Sequence, residues 1–310
     1  MNRSSDETVR QRMVALLRQL ATAEGYNLTG LPDVRLLRSD RLLERTPVLY
    51  DPGIVIVCQG RKRGWLGDKL YLYDAQHYLA VAVPVPFTME TDASTDEPLL
   101  AIYLHLDFAV VADLLLALPP SQTGAARSMV SSPMDGRLQQ VVLRLLEALA
   151  DPLDAQVLGP ALVRELYYRV LTGEQGHVLR AALAQQGRFS HIARAVRRIH
   201  ADYARPLAVA WLAQEASMSV ATFHLHFKTV TGSAPLQYIK SVRLHQARLL
   251  MVRAGMAAAV AAAAVGYDSP SQFSREFRRL FGRPPGEEAD RLRSGFALPP
   301  PVDSAYVSSH

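Results

Sequence analysis

Two hydrophobic periods divide the chain. Between residues 34 and 107 the apolar positions come in short runs, Ile54-Val55-Ile56-Val57-Cys58, Lys69-Leu70-Tyr71-Leu72-Tyr73, Tyr78-Leu79-Ala80-Val81-Ala82-Val83 and Leu99-Leu100-Ala101-Ile102-Tyr103-Leu104-His105-Leu106. Gly60, Gly64, Gly67, Asp74, Pro84, Pro86 and Pro98 separate them. Short apolar or alternating runs punctuated by turn residues predict the strands of a small antiparallel barrel or sandwich. On either side the spacing lengthens to three and four. Val9, Met13, Leu16, Leu17 and Leu20 predict an amphipathic helix over residues 7–23, and further helices are predicted over 108–118, 137–150 and 160–171. Within 137–150, Leu138, Val141, Val142, Leu145, Leu146 and Leu149 form a stripe too wide to leave in water. Packing inside its own domain and pairing with a second copy of the chain would both bury it.

From residue 191 the helical period holds, and one pattern occurs twice. In the first copy a short helix over 208–216 leads through Ser217-Met218-Ser219 into a helix carrying Phe223 and Phe227 and ending at Gly232. In the second, the Ala-rich segment 256–265 leads through Gly266 into a helix carrying Phe273 and Phe277 and ending at Gly282, Pro284 and Pro285. Gly266 permits a left-handed turn, Ser269 offers its hydroxyl as a cap, and Gly282 with the proline pair stops the helix. The phenylalanines share one face, while Gln272, Arg275 and Arg279 lie on another. Between the copies, residues 235–251 read as a helix of several turns with Pro235 at its first position and an apolar stripe of Ile239, Val242, Leu249 and Leu250. One amphipathic helix alone would be read as a solvated surface element. Two copies around a connecting helix point to a paired reader.

Charge sharpens this division. A length of 310 residues suits two domains. Residues 1–187 hold 18 Lys/Arg against 21 Asp/Glu, a net −3, whereas residues 188–293 hold 16 against 7, a net +9; Asp303 brings the total to +5. A cationic helical region suits a phosphate backbone, although charge by itself would also serve an anionic membrane or an acidic protein. No apolar run is long enough to span a membrane, and residues 1–14 mix charges of both signs without the apolar core of a signal peptide. Both observations predict a cytoplasmic protein with no membrane partner. Cys58 is the single cysteine, which excludes an intramolecular disulfide and argues against a thiolate metal cluster.

Catalytic chemistry finds no footing in the sequence. A Walker pattern and a Gly-rich dinucleotide fingerprint are both absent. His77 and His105 lack a His-x-His partner or a carboxylate at convincing spacing, so no metal, cofactor or catalytic residue is assigned and the chain is not expected to be an enzyme. Cys58 reads as a core thiol, with redox or electrophile sensing as the alternative. Cys58, Trp65, Tyr71, Tyr73, His77 and Tyr78 are the candidates for lining an effector pocket in the barrel.

Residues 191–285 resemble the double helix-turn-helix DNA-binding domain of the AraC/XylS family of bacterial transcription regulators. Val265-Gly266-Tyr267, Ser271-Gln272-Phe273-Ser274-Arg275-Glu276-Phe277, Phe281-Gly282 and Pro284-Pro285 carry the resemblance. Residues 51–107 resemble the cupin-like N-terminal sensor region of one AraC-type subgroup, through Asp51-Pro52-Gly53, Gln59-Gly60-Arg61-Lys62, Leu66-Gly67-Asp68 and Tyr73-Asp74-Ala75-Gln76-His77-Tyr78-Leu79. The resemblance implies an α+β chain. Residues 1–180 would form a cupin-like β-barrel with flanking helices for effector sensing and dimerisation, 181–190 a linker, 191–290 an all-α double helix-turn-helix domain, and 291–310 a disordered tail.

The implied function is sequence-specific DNA binding and transcription regulation under the control of a small-molecule effector of unknown identity. Double-stranded DNA, RNA polymerase and a second copy of the chain are the implied partners, with activation as the implied mode. The residues themselves leave activation against repression open. A helix-turn-helix lays its second helix in the major groove. The first such helix would present Ala221, Thr222, His224, Leu225 and Lys228; the second would present Pro270, Ser271, Gln272, Ser274, Arg275 and Arg279. Gln272 and Arg275 suit bidentate bonds to base edges, while Lys228, Arg278 and Arg283 suit phosphates. Relatives commonly carry Arg where this chain has Leu225, which favours thymine-methyl or shape-based contacts in the first half. Two other readings are a cupin-type metalloenzyme with an appended helical domain and a sequence-indifferent architectural DNA binder.

Overall fold

The computed structural model describes residues 3–119, 126–184 and 187–295. After α1 (Arg3–Leu20), the chain builds β1 (Gly25–Leu28), β2 (Val34–Ser39), β3 (Leu43–Tyr50), β4 (Gly53–Gln59), β5 (Arg61–Leu66), β6 (Lys69–Asp74), β7 (His77–Val81), β8 (Val85–Asp92) and β9 (Leu99–His105). These strands form one curled antiparallel sheet, a half-barrel, in the order β1-β2-β9-β4-β7-β6-β5-β8-β3; β10 (Met129–Pro133) pairs with β7. The central strands β4 and β9 are buried on both faces, which is why they read as continuous apolar runs. Along β8 buried and part-exposed positions alternate.

Strand β5 escapes the sequence pattern, because Arg61-Lys62-Arg63 has the composition of a polar turn. Pairing with β6 and β8 makes it a strand, and the two-residue period turns Lys62 inward while Arg61 faces solvent.

Helices α2 (Phe108–Ala117), α3 (Gly136–Leu149) and α4 (Pro152–Thr172) complete the first domain. The wide apolar stripe of α3 is consumed there. Leu138, Val141, Val142, Leu145 and Leu146 are buried, with α1 and α4 as the neighbours of α3. Of the two ways of burying this stripe, packing inside its own domain is the one observed. Residues 181–190, expected as a linker, carry helix at both ends. α5 (Gly176–Leu183) and α6 (Gly187–Asp202) occupy most of 181–190, and residues 185 and 186 lie outside the described ones.

Six helices follow: α7 (Val209–Glu215), α8 (Val220–Thr231), α9 (Pro235–Arg253), α10 (Ala258–Ala264), α11 (Pro270–Phe281) and α12 (Pro285–Gly295). The last runs past the expected domain end at 290, and residues 296–310 of the expected tail lie outside the described ones. A continuous apolar core extends from the sheet through α6 into the first helix-turn-helix unit. The second unit has its own, built on Leu244, Met251, Val265, Phe273 and Phe277.

Candidate nucleic-acid interface and effector cavity

Each reader helix is built by the same local devices. Ser219 Oγ accepts the Thr222 N–H at 3.3 Å to start α8, and Ser269 Oγ accepts the Gln272 N–H at 3.2 Å to start α11. Gly232 and Gly282 end them in the left-handed conformation. Phe223 and Phe227 meet with ring centroids 5.3 Å apart, and Phe273 and Phe277 at 5.5 Å, so the anchors of the two copies superpose in kind as well as in spacing. With those rings buried, the opposite faces are left to solvent. Ala221, Thr222, His224, Leu225, Lys228, Pro270, Ser271, Gln272, Ser274, Arg275, Arg278 and Arg279 are all exposed. Among the described residues, no hydrogen bond or ion pair ties down the side chains of Lys228, Arg275, Arg278 or Arg279.

Gln272 is held differently. Its Nε2 donates to Glu276 Oε1 at 3.1 Å, and Glu276 also accepts from Lys240 Nζ of α9 at 2.7 Å and from the Tyr267 hydroxyl at 2.7 Å. Burial works to raise the Glu276 carboxyl, but the hydrogen bonds from Lys240, Tyr267 and Gln272 outweigh it and hold the pKa below the ordinary value. Sequence reasoning missed Glu276 as the residue that orients Gln272; its position four residues after Gln272 on a helix was the available signal.

None of the six residues expected around an effector pocket lines the cavity at the domain junction. Cys58 is buried in β4, and burial pushes its thiol up to about 12, which removes the thiolate a redox sensor needs. Trp65 lies beneath the Arg45 guanidinium at 4.3 Å, Tyr71 is half-buried, and Tyr78 is buried against the first-domain core. Tyr73 is fully buried, with its hydroxyl 4.0 Å from Met89 Sδ. His77 Nδ1 sits 3.0 Å from Asp74, while His105 Nδ1 sits 3.5 Å from Asp51. Among the described residues no three His, Cys, Asp or Glu side chains converge to hold a metal.

A cavity of about 100 Å³ lies instead between the open side of the sheet and the reader domain. Leu37, Val48, Lys62, Met89 and Leu99 come from the sheet; Arg248 of α9 with Arg291 and Leu292 of α12 close it. Arg248 and Arg291 share the buried carboxylate of Glu288, at 3.4 and 2.9 Å, and Arg248 also donates to the Pro47 carbonyl of β3 at 3.4 Å. Burial draws the Arg248 guanidinium down to about 10, against the opposing pull of Glu288. The connecting helix is further tied to the sheet where the Tyr238 hydroxyl donates to the Pro84 carbonyl at 2.8 Å.

Lys62 is the unexpected member of this cavity. The residue is 2% exposed, and Nζ reaches Met89 Sδ at 3.2 Å and the Tyr50 hydroxyl at 3.4 Å. Burial lowers the amine from 10.5 to about 7. Between these values the unfolded chain holds a proton that the folded chain releases, so this group's contribution to stability falls as the pH drops from 10.5 to 7 and is level below. Lys62→Met removes that slope and is expected to be more stable than the parent at pH 7, on the order of 3 kcal/mol. Denaturant titrations of both proteins at pH 7 and pH 10 check this; an equal difference at the two pH values contradicts it.

A curled antiparallel sheet with helices, joined to paired helix-turn-helix units, is the layout of a two-domain transcription regulator. Residues 30–178 match the AraC-type transcriptional regulator N-terminus and residues 212–291 a helix-turn-helix domain; the chain belongs to the AraC-type regulators. A putative AraC-like transcription regulator of Streptomyces lividans is 36% identical over 96 residues, 31% of this chain and 32% of that protein. The RCS-specific HTH-type transcriptional activator RclR of Escherichia coli (strain K12) is 40% identical over 82 residues, 26% of this chain and 29% of that protein. The chain thus matches about a third of the length of these relatives. The crystal structure of unsaturated fatty acid bound ToxT from Vibrio cholerae strain SCE256 shares the fold over 89% of this chain and 100% of that one, with a TM-score of 0.57 and 12% identity.

Proposed function

We propose that the protein is a sequence-specific regulator of transcription that binds double-stranded DNA through α8 and α11 and is controlled by a small molecule in the junction cavity. One observation carries this reading. The same connecting helix that separates the two reader units also supplies Arg248 to the cavity, so a ligand there acts on the element that sets the spacing of the readers. That ToxT binds an unsaturated fatty acid supports an effector role for this fold in general. The metalloenzyme reading loses its support, since the two cupin-side histidines each face a single carboxylate in separate places. Among the described residues no helix is long and apolar enough to cross a membrane. On the same reading the protein works in the cytoplasm with RNA polymerase, and whether it activates or represses is read from transcription of the selected sites with and without the protein. A homodimer, if formed, uses a surface other than the buried stripe of α3.

Selection of bound fragments from genomic DNA by the full chain, with and without candidate effectors, tests the proposal. Enrichment of a defined motif that an effector changes supports it; equal affinity for every duplex, falling uniformly with salt, overturns it. The two halves contribute unequally. Arg275→Ala is expected to cost about 1–3 kcal/mol of binding at the selected site and to relax base preference at one position. Lys228→Ala is expected to weaken all sequences alike and to reduce the salt slope. An unchanged base profile for the Arg275 variant would remove that residue from the base-reading set.

A further inference from the structure

We propose that Lys62 is a covalent capture site, at which the buried amine condenses reversibly with a small aldehyde of about three to six heavy atoms to form an imine. The inference rests on reading the cavity as the effector site and gives that effector a chemical class.

The choice of residue is the first argument. The chain has four lysines, Lys62, Lys69, Lys228 and Lys240, against 30 arginines, so arginine is its ordinary cation. Lys69 and Lys228 are exposed, and Lys240 is paired with Glu276. Only Lys62 stands inside an apolar wall. An arginine there would stay charged and unreactive; a lysine can lose its proton and act as a nucleophile.

The surroundings make the second argument. Nζ touches a hydroxyl and a thioether, neither of them an anion. The other cations of the cavity are accounted for within the protein, Arg248 and Arg291 by Glu288 and Arg41 by Glu24 at 3.0 Å. Burial lowers the Lys62 amine to about 7, so far more of it is unprotonated at neutral pH than of an ordinary lysine. A ligand carboxylate would enter a cavity whose other cations, Arg41, Arg248 and Arg291, already face protein carboxylates. A neutral carbonyl brings no charge. Volume sets the size, because a cavity of about 150 Å³ accommodates benzene and this one measures about 100 Å³.

The chemistry balances without a further reagent. The Nζ lone pair adds to the carbonyl carbon, the C=O π electrons move to oxygen, and a proton passes from nitrogen to that oxygen to give a carbinolamine. Loss of the hydroxyl as water, with a second proton from nitrogen, leaves C=N; aldehyde and amine give imine and water. The Tyr50 hydroxyl, 3.4 Å from Nζ and kept protonated because burial raises its pKa, is placed to relay the proton. The captured alkyl chain then lies beside Arg248, Arg291 and Leu292 of the reader domain.

Incubating the full chain with butanal at pH 7, reducing with cyanoborohydride and mapping the peptides by mass tests the capture. The expected result is N-butyl-lysine at Lys62 in at least about tenfold excess over Lys69, since far more of the buried amine is unprotonated. The excess is expected to vanish in both Lys62→Met and Lys62→Arg, the second keeping the charge in case the first repacks the cavity. No adduct at Lys62, or one no greater than at Lys69, overturns the proposal. DNA binding measured in parallel separates the two readings. If other small molecules shift DNA affinity while no adduct forms, the capture fails and the regulator stands. An adduct without any change in DNA affinity confirms the capture and removes its regulatory role.

Discussion

Glu288→Ala is expected to destabilise the protein by about 3–5 kcal/mol, the cost of leaving a buried cation without its partner. The Glu288 carboxylate is 2% exposed and stands between Arg248, itself 4% exposed, and Arg291. Arg248 has little recourse to water. Its guanidinium lies 4.3 Å over the Phe281 ring, with the Pro47 carbonyl and His245 within 3.5 Å. Burial already lowers the pKa of both Arg248 and His245, so loss of Glu288 leaves one stranded charge beside a ring that cannot accept a proton. Replacing both partners, as in Arg248→Met with Glu288→Met, is expected to recover most of the loss, because the desolvated charge goes with the carboxylate. Urea titration of the three proteins checks this pattern. A cost below about 1 kcal/mol for Glu288→Ala would mean that water reaches Arg248 and that the two domains are not closed over the cavity.

Gly266→Ala is expected to cost about 2–4 kcal/mol, against about 1 kcal/mol for Gly282→Ala. Both glycines have φ near +80°, so the backbone penalty is shared. The difference is space. A Cβ at Gly266 would meet the Ala204 carbonyl oxygen at 2.3 Å, whereas one at Gly282 meets nothing within 4 Å. The neighbouring backbone cannot retreat, because Arg243 grips it through three bonds: Nε to the Tyr203 carbonyl at 2.7 Å, and its two terminal nitrogens to those of Gly266 and Arg205 at 2.9 Å each. Gly266→Ala must therefore move the turn that aims α11, and weakened DNA binding is expected to accompany the lost stability. Thermal melts and duplex titrations of the two variants supply the comparison; equal costs would show that the turn at residue 204 yields freely.

The reader half was legible because its determinants are local. Serine caps, paired phenylalanines and stop glycines act within a single helix or turn, and the positions left over on α8 and α11 are the exposed ones. Central strands β4 and β9 were legible for a similar reason, as strands buried on both faces need uninterrupted apolar runs. The charged strand β5, the tail helix α12 and the helical content of the expected linker were not. Arg61-Lys62-Arg63 and the Glu287-Glu288 start of α12 look like solvated segments until neighbours from elsewhere in the chain surround them. The aromatic candidates pose the opposite case. Tyr73 and Tyr78 serve the core, and nothing in their spacing distinguishes a core ring from a pocket ring.

What the sequence by itself determined is the duplicated, cationic reader, its anchors and the residues it presents, since each follows from contacts between positions a few residues apart. What only the tertiary structure decided is the cavity and the chemistry inside it. Lys62, Arg248 and Glu288 are all residues that local rules assign to the surface, and they become buried partners because a strand near the beginning of the chain and two helices near its end close over the same space.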